Sequence, residues 1–202
     1  MSSLPCLAAI VHHVLVAPSH AGARAGKGRT MTLQQRLDAF KADFRAGKPP
    51  FNAPAFIHRI MARGTEELIA SGAASRALKA GDRAPDFALQ APDGGVVTSA
   101  ALLARGPLIV SFYRGVWCPY CNMELQALQE ALPAFTAAGA QLVAISPQNR
   151  VNSRKSVREN ALDFPILSDP GNMVAAQLSC PLLSGPSTMR VWIKEGTTNA
   201  CQ

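Results

Sequence analysis

Residues 107–113 read Pro-Leu-Ile-Val-Ser-Phe-Tyr, and five residues further on stands Cys118-Pro119-Tyr120-Cys121. A continuous run of β-forming residues offers no polar face to water. It suits a strand covered on both sides, the central strand of an α/β sheet. Beyond it, Pro119 to about Ala138 carries Leu125, Leu128, Leu132 and Phe135 at three- and four-residue spacing, which predicts a helix with one apolar stripe. The two cysteines are thereby assigned to a strand-to-helix junction, in the first turn of the helix. Few folds offer that combination.

The junction carries chemistry. Unpaired backbone N–H groups and the positive end of the helix dipole favour an anion, so a thiolate there is stabilised below the free thiol value of about 8.5. Pro119 suits the first helical position, where its missing N–H costs nothing. A spacing of three puts both sulfurs on one side of the turn, near enough to form a disulfide. Half a zinc site is an alternative, but no second close pair exists and all four histidines precede residue 60. No metal and no cofactor is expected. Two inert buried cysteines is the other alternative, and the Trp-Cys-Pro-Tyr-Cys context after a buried strand speaks against it. Cys6, Cys180 and Cys201 stand alone. An odd count with one close pair fits a reducing, cytoplasmic compartment better than a stapled extracellular fold.

Three segments organise the chain. Residues 4–17, LPCLAAIVHHVLVA, are apolar and lead to Ala-x-Ala sites at 21–25, as a secretory signal would. No basic residue precedes them, however, and His12 and His13 interrupt their middle, so residues 1–30 are expected to be a disordered leader with unstructured histidines. Residues 31–79 are expected to form a helical extension. Leu33, Leu37, Phe40 and Phe44 mark one helix with Thr32 as its N-cap, and Phe56, Ile60, Leu68 and Ile69 mark a second, over 54–71, with His58 on its surface. From residue 80 to 202 the texture is strand–helix–strand. A hairpin of strands lies around Phe87–Leu89 and Val96–Thr98. Further strands fall at 107–113, 141–145 and 164–167, and helices at 150–161 and 172–178. Helices of this length between strands imply right-handed crossovers and a parallel core.

Hydrophobic residues make up 48% of the 202, enough for a substantial core, and no apolar run approaches the roughly 20 residues that span a bilayer. The net charge of +7 raises the question of nucleic acid. Three of those charges, Arg24, Lys27 and Arg29, sit in the first thirty residues, and the rest are scattered without an interleaved Arg/aromatic stripe. Neither a nucleic-acid nor a membrane partner is expected; a homodimer is compatible with the composition.

Phe112-Tyr113-Arg114-Gly115-Val116-Trp117-Cys118-Pro119-Tyr120-Cys121 resembles the thioredoxin-fold superfamily, and specifically the peroxiredoxin-like branch of the alkyl hydroperoxide reductase/thiol-specific antioxidant family. GDRAPDFAL at 81–89 is similar to the opening strand of peroxiredoxins, and LVAISPQ and DFPILSDPGN at 142–148 and 163–172 to later strands and loops. The resemblance implies an α/β thioredoxin-like three-layer fold. It also implies a thiol-dependent peroxidase that reduces hydrogen peroxide or organic hydroperoxides through a cysteine sulfenic acid and a Cys118–Cys121 disulfide, recycled by thioredoxin or a similar dithiol. Aligned on Phe112-Tyr113, the family's peroxidatic cysteine falls on Cys121, while its threonine is replaced by Cys118 and its proline by Arg114. Thioredoxins instead use the first cysteine of such a pair, which is Cys118, so the order of attack stays open. Arg114 and the helix N-terminus would favour the thiolate and steady the leaving oxygen. Trp117 and Tyr113 would pack around the loop, and Glu124 would serve the helix dipole.

Two other functions compete: a thiol–disulfide oxidoreductase with Cys118 as nucleophile, and a truncated, non-catalytic relative. The second arises from the C-terminus. After Leu178 there is room only for a strand at 189–194 and a stub at 197–201, so a shortened end is expected, with Cys180 and Cys201 as conceivable resolving thiols.

Overall fold

A computed structural model of the chain describes residues 31–178 and the backbone of two C-terminal strands. The expected leader at 1–30 and the thiol of Cys180 lie outside the described residues.

The extension starts where the sequence places a cap. Thr32 Oγ1 accepts the Gln35 N–H while the Gln35 side chain returns to the Thr32 N–H, a reciprocal capping box that opens α1, Leu33–Arg45. Helix α2 follows over Ala55–Ala70, and a single turn, α3, over Ala73–Arg76 was not anticipated. Phe40, Phe44 and Phe51 form an aromatic cluster, with the His58 ring edge-on to Phe44 at 5.1 Å. His58 is thus partly buried and within 3.2 Å of the Ala53 carbonyl, rather than a free surface residue. Phe56, Ile60 and Ile69 of α2 remain exposed.

Beyond the extension run β1 (Ala88–Gln90), β2 (Val96–Thr98), α4 (Ser99–Leu103), β3 (Leu108–Phe112), α5 (Pro119–Ala137), β4 (Gln141–Ser146), α6 (Arg150–Asn160), β5 (Ile166–Ser168), α7 (Met173–Gln177), β6 (Val191–Glu195) and β7 (Thr198–Cys201). They form one sheet in the order β2-β1-β5-β4-β3-β6-β7. The three inner strands β5, β4 and β3 are parallel, as the crossovers require. The flanks differ from a purely parallel sheet, because β1 pairs antiparallel with β5 and β6 antiparallel with β3. Both C-terminal strands of the sequence reading are present, and β7 closes one edge.

Strand periodicity divides the core. Leu108, Val110 and Phe112 join Val143, Ile145 and Leu167 on one face, with Leu102 of α4 and Val174 and Ala175 of α7. Ile109 and Tyr113 join Leu142, Ala144 and Ile166 on the other, with Leu125 and Leu128 of α5 and both Cys118 and Cys121. All five residues of β3 are buried, which is why its sequence lacks alternation. The parallel register pairs Phe112 with Ile145, so the chain leaves β3 and β4 side by side at the same end of the sheet. That adjacency builds the site.

Candidate active site

After Phe112 the chain turns through Tyr113, Arg114, Gly115 and Val116. Tyr113 N–H donates to the Ile145 carbonyl, extending the β3–β4 ladder by one bond before the loop departs. Ser146 Oγ reaches the Arg114 carbonyl at 3.4 Å, the Val116 N–H donates to Gln148 Oε1 at 3.0 Å, and Asn122 Nδ2 donates to the Val116 carbonyl at 2.8 Å. Cys118 N–H closes the turn on the Gly115 carbonyl.

Cys118 is the N-cap of α5, Pro119 its first residue and Cys121 its third. The sequence reading placed both cysteines inside the first turn. The structure moves Cys118 one step out, to the position where a side-chain acceptor serves the orphan N–H groups. Its sulfur does the work of a capping oxygen: Sγ accepts from the Cys121 N–H at 3.4 Å, from the Cys121 thiol at 2.8 Å and from Arg114 Nη2 at 3.0 Å. Three donors around one sulfur favour the anion. The Cys118 thiol is accordingly drawn down to about 6, by the hydrogen bond from Cys121 first and by Arg114 after it, against the opposing effect of burial. Cys121 moves the other way, upward, because its thiol donates to the Cys118 sulfur and its surroundings are dry. The donors converge on Cys118, which is therefore the more acidic of the two thiols. Both cysteines are free thiols, 0% and 2% exposed.

Arg114 lies 5.0 Å over the ring of Trp117, within cation–π range. Trp117 lies against the loop as expected, its indole beside Gly115, with 66% of the residue exposed. Tyr113 is buried, and its hydroxyl is pushed up to about 12 chiefly by that burial. Glu124 sits in the second turn of α5, too deep to serve the dipole as expected. Partial burial, and secondarily the negative charge on Cys118, lift its carboxyl to about 7.

Sequence reasoning missed Gln148, Ser146 and Asn122. One signal was available: in parallel sheets, functional groups gather beyond the carboxyl ends of adjacent strands. Ser146 ends β4 there and Gln148 follows it, beside the loop that leaves β3.

A mixed sheet with a buried inner strand that delivers a dithiol to the N-terminus of a helix defines a thioredoxin-fold thiol protein. Residues 80–190 match the AhpC/TSA family, and the chain belongs to that family. It is 31% identical over 101 residues to a chloroplastic peroxiredoxin Q of Oryza sativa subsp. japonica, covering 50% of this chain and 46% of that protein. To a putative peroxiredoxin of Mycobacterium tuberculosis it is 36% identical over 97 residues, 48% of this chain and 61% of the relative. The chain thus spans about half the length of the curated relatives it matches. Among solved structures, the peroxidoxin BcpB from Mycobacterium tuberculosis superposes with a TM-score of 0.53 at 28% identity, over 58% of this chain and 79% of that one. A putative protein disulfide isomerase from Bacteroides thetaiotaomicron shares the fold, with a TM-score of 0.50 at 20% identity over 62% and 79% of the two chains.

Proposed function

We propose that the chain is a thiol-dependent peroxidase acting on hydrogen peroxide or organic hydroperoxides, with Cys118 and Cys121 as its redox pair. The observation that carries the reading is the Cys118 sulfur, which takes hydrogen bonds from Arg114 at 3.0 Å and from the thiol of Cys121 at 2.8 Å. A thiolate so held is the nucleophile available at neutral pH. In this reading Cys118 attacks the terminal peroxide oxygen and the O–O bond breaks, leaving a sulfenic acid on Cys118. The departing alkoxide takes the proton of Cys121 and leaves as alcohol or water. Cys121, now a thiolate, attacks the sulfenic sulfur, forms the disulfide and expels hydroxide, which solvent protonates. Thioredoxin or a similar dithiol protein in a reducing, cytoplasmic compartment then restores both thiols. Arg114, joined to Cys118 and lying over the exposed Trp117, is the charged group beside the attacking sulfur.

The family alignment would have Cys121 attack first; the location of the charge favours the reverse order. The same charge favours a second reading, a thiol–disulfide oxidoreductase with Cys118 as nucleophile. One equivalent of hydroperoxide added to the reduced protein, followed by intact mass, separates them. A peroxidase loses two hydrogens rapidly as the disulfide closes, and Cys121→Ser gains one oxygen on Cys118. A protein that stays reduced under peroxide but exchanges readily with a disulfide substrate defeats the peroxidase reading. A Cys118→Ser variant that still forms sulfenic acid at the full rate restores Cys121 as the attacking group.

A further inference from the structure

One side-chain amide ties the loop between β3 and α5 to its neighbours on both sides. Gln148 follows β4, and its side chain makes three hydrogen bonds: Oε1 accepts the Val116 N–H at 3.0 Å, while Nε2 donates to the Tyr113 hydroxyl at 2.6 Å and to Ser156 Oγ at 2.9 Å. The orientation of this amide is chemically determined, since the Val116 N–H can only donate and must face an oxygen. Tyr113 in turn donates to Ser156 Oγ at 3.1 Å, which closes a triangle of polar groups on two wholly buried residues. Gln148 therefore ties three elements together: the end of β3 through Tyr113, the cysteine loop through Val116, and helix α6 through Ser156.

The position of the tie matters more than its strength. Val116 lies two residues after Arg114 and two before Cys118. Its N–H is pinned by Gln148 and its carbonyl by Asn122, which accepts at its own Oδ1 from Asn160 Nδ2 at 3.3 Å. Ser146 holds the Arg114 carbonyl. Between those anchors the loop has one course, and on that course the guanidinium meets the Cys118 sulfur at 3.0 Å. Glycine at 115 tightens the arrangement: a Cβ there would lie 2.7 Å from Trp117 Nε1 and 3.3 Å from Gln148 Oε1, so loop, indole and amide leave no slack. A loop with free backbone groups would turn to water, and the arginine, a long side chain with much rotamer entropy, would go with it.

We propose that Gln148 is a positioning residue for the redox pair, acting through the Val116 backbone to keep the Arg114 guanidinium on the sulfur of Cys118. It touches neither sulfur. The proposal rests on the reading of Cys118 as the resting thiolate, and it adds the element that keeps that thiolate in place.

The test is a double-mutant cycle read by the ultraviolet absorbance of the thiolate against pH, which requires no turnover and no peroxide. Wild type should titrate near 6. Gln148→Met, similar in length but without hydrogen bonds, should titrate at higher pH, with the thiolate population at pH 6 reduced roughly threefold or more. Arg114→Met should do the same, and the double variant should titrate where Arg114→Met does, because an arginine already gone leaves Gln148 nothing to position. Should Gln148→Met fold poorly, Gln148→Asn, one methylene short of Val116, replaces it in the cycle. A variant that melts earlier yet keeps the wild-type titration shows a purely structural glutamine and overturns the proposal; so do shifts that add in the double variant. A wild-type protein whose thiols both titrate in the ordinary alkaline range defeats the thiolate reading itself, a result distinct from either.

Discussion

Phe40, on the first helix of the extension, stands edge-on to Tyr120, a middle residue of the Cys-x-x-Cys motif, with ring centroids 4.8 Å apart at 87°. The contact joins segments 80 residues apart and places the extension against the first turn of α5. The Arg36–Glu130 ion pair at 3.4 Å lies along the same two helices but is exposed, and such pairs contribute little. The aromatic contact is therefore the stronger attachment.

Replacing Phe40 by alanine should loosen α1 from α5 at a cost of about 1–3 kcal/mol, less than for a fully buried phenylalanine because Phe40 is half-buried. Hydrogen exchange should show faster opening of α1 amides than of β3 amides. Uniform loss of protection across both would indicate that the extension is an integral part of the core rather than a docked segment.

Arg114→Met should slow alkylation of the reduced protein at pH 7 by about twofold. The sign follows from the direction of the shift. Cys118 is drawn down to about 6, first by Cys121 and then by Arg114, so wild type is mostly thiolate at pH 7. Without the guanidinium part of that shift is lost and the reactive fraction falls. Above pH 9 the two proteins should react at similar rates.

Glu124→Gln should change how stability depends on pH. The wild-type carboxyl keeps its proton until about 7 in the folded state, raised by burial and then by the Cys118 charge, but loses it near the ordinary 4.3 when unfolded. Between those values the folded state binds more protons, so wild-type stability declines as pH rises from about 4 to about 7. Glutamine has no proton to lose. Denaturant melts should therefore show the variant gaining on wild type by about 2 kcal/mol between pH 4 and pH 8, allowing for partial contact with solvent. Parallel curves for the two proteins would rule out a buried neutral carboxyl.

Gly106→Ala should be the most damaging single-methyl change in the sheet region. Gly106 has a φ of +143°, and a Cβ there would run into the Gly139 carbonyl oxygen, a backbone atom that cannot swing aside. Strain and overlap together should cost about 2–4 kcal/mol, seen as a lower melting temperature. Gly139→Ala makes a useful comparison, since a Cβ at that position meets nothing within 4 Å and only its φ of +76° is unfavourable.

Much of this protein was written locally. The run Leu108–Phe112 has to be a covered strand because it has no polar face, and Thr32 with Gln35 caps a helix wherever that helix lies. Pro119 behind Cys118 starts α5 for reasons confined to one turn of backbone. The spacing of Cys118 and Cys121 put two sulfurs together before any tertiary contact was known. Periodicity and capping act over three or four residues, and so they can be read from one stretch of chain.

What the chain could not announce was which distant segments would lie side by side, and the place of Gln148 and Ser146 in the site follows from that. Gln148 is 32 residues from Val116 and Phe40 is 80 from Tyr120; neither carries a local pattern that names its partner. Only when β4 pairs in parallel with β3 do the two strand ends stand together, and only then does an unremarkable glutamine meet the cysteine loop. The ownership of the negative charge was decided there too. Two thiols three residues apart are nearly equivalent in sequence. They become unequal once Arg114, the Cys121 N–H and the Cys121 thiol all point at one sulfur, because an anion settles where the donors converge.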